Sequence, residues 1–317
     1  MVVIVHLGQL NEFHPEHRIL RYICLLAHSF CFIAPSLFFL ISGFLYANIQ
    51  AKGKTHKYLR RILLITVCGS LIYTLYDILT SGGISGWLQL YDSQAIADLV
   101  FVNKTVGTAY HLWYLYALIY IIVIMMIIDR HGKWDQSKPF IIALTMIGVA
   151  FYIRNPYTSG QYIRNFLFFG LPFFAFGRYA YEKQSSIKRI PDYIYLTIIT
   201  FSILAGSYET LFIGHISMNF AYYFIPLCCS IFLLALKHPL LGAGVLIETI
   251  GSQYSAGIYV FHILIGQLLW DFVPASAHDT PLVFPGIVLL VTILLVASYK
   301  KVFLRSKQSP LPTANRR

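Results

Sequence analysis

Charged side chains are scarce in this sequence. Asp, Glu, Lys and Arg together make up 12% of its 317 residues, about half of the roughly 25% usual in soluble domains. A water-soluble fold of this length could not cover its surface with so few charges, which excludes ordinary soluble enzymes, coiled coils and disordered chains. Acidic residues are the scarcer sign, with 13 Asp+Glu against 24 Lys+Arg. Cysteine is also sparse. The five cysteines are Cys24, Cys31, Cys68, Cys228 and Cys229. None has metal-ligand spacing and adjacent Cys228-Cys229 is a poor disulfide pair, so neither a disulfide scaffold nor a cysteine metal site is expected. There is no Gly-rich phosphate loop, internal repeat or low-complexity tract. Asn103-Lys104-Thr105 matches a glycosylation sequon, a pattern short enough to arise by chance, and carries no weight.

Apolar residues are abundant instead, at 57% of the chain, with a mean hydropathy of +0.66. A membrane span needs about 20 mostly apolar residues. Nine runs approach this: Ala34–Asn48, Ile62–Leu79, Leu112–Ile128, Phe140–Ile153, Phe166–Tyr181, Tyr193–Gly206, Phe220–Leu236, Ala256–Phe272 and Val283–Tyr299. Met1–Leu7 is apolar but only two turns long, without the basic region of a signal peptide. It reads as the second half of a helix, with the chain starting late. The expected fold class is all-α: one polytopic bundle of about ten helices, the first truncated, with residues 301–317 as a basic tail.

Loop charge orients the bundle. With the Lys52–Arg61 loop placed in the cytoplasm, alternation puts 19 Lys/Arg inside and 5 outside, the asymmetry of the positive-inside rule, and sets the C-terminus inside. The longer outer segments, about Gly8–Ile33 and Thr80–Tyr110, carry His14, His17 and His28 in one and Trp87, Asp92 and Asp98 in the other. The second is expected on the membrane surface.

Ionisable residues in apolar runs are costly and mark candidate sites. His6 ends the short first helix, where an interfacial role and a chemical one weigh evenly. His111 opens HLWYL, beside Trp113, where aromatic residues crowd membrane boundaries. His262 follows Tyr259 at i,i+3, so both belong on one helix face; a buried histidine held by a neighbouring helix is the favoured reading. Asp77, near the outer end of its run, reads as solvated. Lys57, Arg60 and Arg61 form a basic helix entry, which residue type alone makes a topology anchor or a phosphate clamp. Arg178, in FFAFGRY, raises the same question less strongly.

In order, these pieces resemble the membrane acyltransferase-3 family, and within it the enterobacterial-common-antigen O-acetyltransferase branch. MVVIVH resembles the end of the family's first helix, closing on a histidine. APSLFFLISGFLYA (Ala34–Ala47) resembles its second helix and KYLRRILLI (Lys57–Ile65) its basic third-helix entry. HLWYLYALI (His111–Ile119) and SAGIYVFH (Ser255–His262) complete the set. The family's first helix also carries an Arg about ten residues before the histidine; only five residues precede His6 here.

The resemblance implies an O-acyltransferase of the bacterial inner membrane, with acetyl-CoA as donor and no metal. The acceptor would be a hydroxyl of a lipid-linked or exported saccharide, with lipid the other partner and no nucleic acid. It implies His6 as the catalytic histidine, acting directly as a base, a role suited to a group with a pKa of about 6.5, or through a transient acyl-histidine. Lys57, Arg60 and Arg61 would hold the CoA phosphates, and His111, Trp113, Tyr259 and His262 would line the acceptor pocket. The rival reading is a transporter or polysaccharide exporter, a class with internal repeats and broken helices; neither is clear here, and Pro172 and Pro226, as helix kinks, keep it open. A binding-only membrane scaffold is a third reading, which would not require the basic entry and the histidine set together.

Overall fold

The computed structural model describes residues 1–7, 18–154, 163–213, 223–274 and 282–308. His14 and His17 lie outside them. The described chain is helical, with no strand. In chain order the helices are α1 Val2–Leu7, α2 Arg18–Cys31, α3 Ala34–Ala51, α4 Thr55–Thr80, α5 Ile84–Leu88, α6 Ser93–Ala97, α7 Trp113–Arg130, α8 Trp134–Arg154, α9 Leu171–Glu182, α10 Gln184–Arg189, α11 Asp192–Tyr208, α12 Phe224–Lys237, α13 Leu246–Leu269 and α14 Val283–Gln308. Short π-helical turns cover Asp98–Val102, Phe166–Gly170 and Glu209–Ile213, and a 3₁₀ segment, Gly107–Leu112, leads into α7.

Five helical stretches among the described residues are long and apolar enough to cross a membrane: Leu25–Ala51, Thr55–Thr80, Ser93–Arg130, Asp192–Phe212 and Val283–Lys301. The chain is thus an all-helical membrane protein. Its outer surface is apolar, as lipid requires: Leu71, Leu75 and Leu79 of α4 and Phe212 are more than half exposed. Three boundaries differ from the sequence reading. The apolar stretch of α3 extends back into α2, to Leu25, because Phe32 and Ile33 continue the chain through a single turn. The Phe166 run is not one helix but a π turn followed by α9, since Asn165 caps Leu167 and Phe168 by accepting from their amides. The last helix continues past Lys300 to Gln308, so the basic tail begins helical.

Pro172 and Pro226 sit in the first turns of α9 and α12. A missing amide costs nothing at the start of α12, so Pro226 is no mid-helix kink, whereas Pro172 lies where the π turn Phe166–Gly170 passes into α9.

The core is organised around α3 and α9, which pack along their length. Phe39, Tyr46, Phe169 and Phe174 are fully enclosed at this contact. Two glycines permit it. A Cβ on Gly43 would overlap the Phe174 carbonyl and one on Gly177 the Leu40 carbonyl, so the two backbones touch directly. Without a hydrophobic drive between helices in lipid, such close packing is a main source of association.

One end of the bundle is fixed by charge. Tyr46 Oη donates to Asp129 (2.7 Å), and Arg178 pairs with Asp129 (2.6 Å) and Glu182 (3.6 Å) while lying over the Trp134 ring (4.2 Å). Lys138 pairs with Asp135 and Glu182. Arg178 is buried and its charge is already matched within the protein, so it is a structural clamp rather than a phosphate site. The turns at this end are short because Gly53 (φ 65°) and Gly132 (φ 62°) adopt the left-handed conformation that closes helices α3 and α7.

Gly43→Ala and Gly177→Ala should each destabilise the bundle by about 1–3 kcal/mol, the usual range for overpacking. Gly286→Ala in α14, where an added Cβ meets nothing, should leave thermal unfolding in detergent unchanged or slightly raised. Equal melting temperatures for Gly43→Ala and Gly286→Ala would contradict the close crossing.

Candidate functional site

The site lies at the junction of α1, the 3₁₀ segment before α7, and the middle of α13. Helix α1 is too short to fold alone and takes its place by packing on α13 and α14. Val3 joins Ile265, Phe284 and Val288 in a small core, and Leu7 fills the space over Gly266, where a Cβ would approach it to 2.9 Å. This docking brings His6 to His262. Their ring centroids are 5.5 Å apart, with His111 5.1 Å from His262 and 6.3 Å from His6. The motifs HLWYL and SAGIYVFH, 149 residues apart in their bonded pair, meet here.

Backbone carbonyls fix two of the three rings. His111 Nε2 lies 3.2 Å from Val260 O. A carbonyl only accepts, so Nε2 carries the proton and Nδ1 is the bare, basic nitrogen. His262 Nδ1 lies 3.0 Å from Ile258 O and 2.9 Å from Tyr259 O, which leaves Nε2 bare. Neither bare nitrogen has a hydrogen-bond partner among the described residues. Both side chains are almost wholly buried. His262 is therefore held by its own helix rather than by a neighbouring one. His111 is no interface residue: it is 1% exposed.

Two further residues, Tyr73 and Asp77, hold this arrangement. Tyr73 of α4 is fully buried; its hydroxyl donates to Val260 O (2.8 Å) and accepts from Leu264 N (3.0 Å). Those two groups are an i,i+4 backbone pair, so the hydroxyl bridges a helical bond of α13 two residues either side of His262. Asp77, one helical turn further along α4, is buried rather than solvated. It accepts from Thr108 N (3.3 Å) and from the Thr108 hydroxyl, pinning the 3₁₀ segment that carries His111. Gly107 must be glycine: φ is 65° and a Cβ would run into the Asp77 carboxylate. The i,i+4 spacing of Tyr73 and Asp77 on one apolar helix was the available sequence signal.

A cavity of ≈ 20 Å³ opens beside His6 and His111, lined also by Phe38, Trp113, Arg164 and Tyr259. That volume holds about one water. Tyr259 donates its hydroxyl to His111 O, tying the wall to the 3₁₀ segment. Tyr114, behind it, shares a hydrogen bond with Ser42 (2.8 Å). Arg164, missed in the sequence among the outer loop charges, lies with its guanidinium 4.5 Å from the Trp113 ring centre. His6, His111, Trp113, Tyr259 and His262 are thus brought together. Lys57, Arg60 and Arg61 are not: they are exposed on the first turns of α4 and do not line the cavity. Asn103 is fully buried and its side chain accepts from Phe166 N (3.0 Å), so the sequon is inaccessible and structural. Among the described residues, no group of three or more His, Cys, Asp or Glu is placed to hold a metal ion.

Asp77→Ala should cost about 1–3 kcal/mol, the usual penalty for stranding buried donors, and Tyr73→Phe about 1 kcal/mol. Both follow from unfolding melts in detergent, and the Asp77→Ala loss should be reproduced by Thr108→Val only in part. Wild-type stability of both Asp77→Ala and Tyr73→Phe would deny them a positioning role.

No curated protein and no solved structure gives a significant match to the chain. A family model described as an acyltransferase domain, acyltransferase-3, matches residues 1–300. With nearly the whole helical bundle covered, including α1 and the histidines gathered on it, the chain belongs to the acyltransferase-3 family and is a membrane acyltransferase.

Proposed function

We propose that the protein is an O-acetyltransferase of the bacterial inner membrane, moving an acetyl group from cytoplasmic acetyl-CoA to a hydroxyl of a lipid-linked or exported saccharide, as in the enterobacterial-common-antigen branch of the family. In this reading residues 1–317 form a single domain of nine spans and the shorter α1, with residues 301–317 as a basic cytoplasmic tail. The observation that carries the reading is the gathering of three imidazoles, His111 and His262 buried and His6 half-buried, with His6 and His111 lining a cavity walled by aromatic rings.

His6 lines the cavity and is the general base. An alcohol is a poor nucleophile at neutral pH, and removal of its proton as the carbon–oxygen bond forms is worth about 10²–10⁴ in rate. His111 and His262, each turned by a carbonyl so that one ring nitrogen stays bare, can share that proton with His6. Trp113 and Tyr259 shape the acceptor side and keep water from the thioester. The exposed Lys57, Arg60 and Arg61 meet the CoA phosphates. Arg is the residue of choice for such contacts, and all three are unencumbered by ion pairs among the described residues. The space beside His6 fits one water, so entry of a pantetheine arm requires neighbouring side chains such as Phe38 to give way.

His6→Ala should lower acetyl transfer by at least about 10²-fold with membrane insertion and thermal stability retained. Arg60→Ala with Arg61→Ala should raise the KM for acetyl-CoA about tenfold or more at near-constant kcat. The measurement is acetyl-CoA-dependent release of free thiol in membranes containing the protein. Saccharide export without thiol release would establish the exporter reading instead.

A further inference from the structure

Among the described residues, the cavity is lined by one permanent charge and none of opposite sign. Among its lining residues, Arg164 is the single group other than histidine that carries charge; there is no Asp, Glu or Lys. The Arg164 Nε is enclosed without a hydrogen-bond partner, and Arg164 makes no ion pair among the described residues. Its guanidinium rests against the Trp113 ring instead. Contrast Arg178 at the other end of the bundle, which is buried but faces Asp129 and Glu182; Arg164 is half-buried with its Nε enclosed. A cation–π contact is worth about 0.5–2 kcal/mol, far less than the several kcal/mol that sheltering an ion costs. Such a cation is kept at a cost to stability, and it holds the cavity poised for negative charge.

The size of the cavity selects the kind of charge. About one water fits beside the histidines at rest, so a reacting group that enters as the side chains give way would bring its carbonyl oxygen close to the guanidinium. The other polar groups on the wall are committed elsewhere: Tyr259 to the His111 carbonyl and Tyr114 to Ser42. The π turn that follows Arg164 is held firm, because Asn103 accepts from Phe166 N and Asn165 from Leu167 N. Arg164 is therefore fixed at the wall facing the histidines.

We infer that Arg164 is a catalytic residue that stabilises the oxyanion formed on the thioester carbonyl during acyl transfer. The inference rests on the acyl-transfer reading above. The acceptor hydroxyl oxygen bonds to the carbonyl carbon as its proton passes to the imidazole, and the carbonyl electron pair moves onto oxygen beside the guanidinium. On collapse that pair re-forms the C=O bond, the carbon–sulfur bond breaks, and the departing thiolate takes the proton from the imidazolium. Ester and free thiol result, with the protein unchanged.

The test uses the full chain in membranes with acetyl-CoA as the probe and free thiol as the readout. Arg164→Gln and Arg164→Ala should each lose about 10²–10³ in kcat, the usual loss on removing one oxyanion donor, with the KM for acetyl-CoA within threefold of wild type. Arg164→Lys should retain part of the rate. Added guanidinium should restore Arg164→Ala at least tenfold and leave His6→Ala inactive. A raised KM at wild-type kcat would make Arg164 a binding anchor and overturn the inference. Wild-type kinetics would overturn it too, as would a lowered melting temperature in both Gln and Lys variants with no guanidinium rescue. If wild-type membranes release no more thiol than His6→Ala membranes, the acyl-transfer reading itself has failed; if they do and only the Arg164 outcomes are wrong, that reading stands.

Discussion

The oxygen of Val260 is the point to which the site is tied. It sits in the middle of a helix, where a carbonyl ordinarily serves its own backbone, and here it also accepts from the His111 ring and the Tyr73 hydroxyl. A carbonyl has two lone pairs, and in lipid neither can be left to water. By drawing donors from α4 and from the segment before α7, this oxygen sets the spacing of three elements at once. It also decides chemistry, because the hydrogen bond that anchors His111 chooses its tautomer. The bare Nδ1 is a consequence of where a helix places a carbonyl.

The same constraint explains why the two ends of the bundle treat charge differently. Asp129, Arg178, Glu182 and Lys138 form a matched set of ions reinforced by Tyr46 and Trp134. Removing one member would strand the others, so the set fixes α3, α7, α8 and α9 relative to one another. Near the histidines the matching is withheld. Two imidazole nitrogens and one guanidinium nitrogen face enclosed space without partners. Unsatisfied polar atoms call for an explanation such as a ligand that completes them, and His111 and Arg164 bring two of them to one small cavity, with His262 beside His111.

The sequence made the class of fold legible because hydropathy and loop charge report directly on the solvent. It also made His6, His111 and His262 legible, since an ionisable group in an apolar run is conspicuous by its cost. It did not reveal how they meet, because the contacts join segments nearly 150 residues apart and depend on α1 docking over Gly266. Asp77 was misjudged for a related reason: nearness to a helix end does not reveal that Thr108 folds back onto it. Arg164 was invisible among loop charges, since the absence of a carboxylate partner is a property of space and not of spacing. The break at Phe166 was hidden as well, because a π turn and an α-helix share the same apolar composition and differ only in what Asn165 caps.

The separation between the basic entry of α4 and the cavity bears on how such a bundle limits waste. A thioester held at Lys57, Arg60 and Arg61 by its phosphates would have its headgroup in water, while the bond to be broken must reach a space that now admits one water. That space is lined by Phe38, Trp113 and Tyr259; the Phe38 ring can shift without breaking a hydrogen bond, whereas Tyr259 is tied to His111 O and the α3–α9 crossing behind them is locked by Gly43 and Gly177. Side-chain movement on a rigid frame would admit a narrow acyl arm and close again behind it. The histidines and Arg164 would then meet the carbonyl in a dry environment, where a fixed cation acts most strongly on developing charge. The tightness of the resting cavity is in this sense part of the chemistry: a wider one would let water compete for the acyl group, and would screen the charge on which its transfer depends.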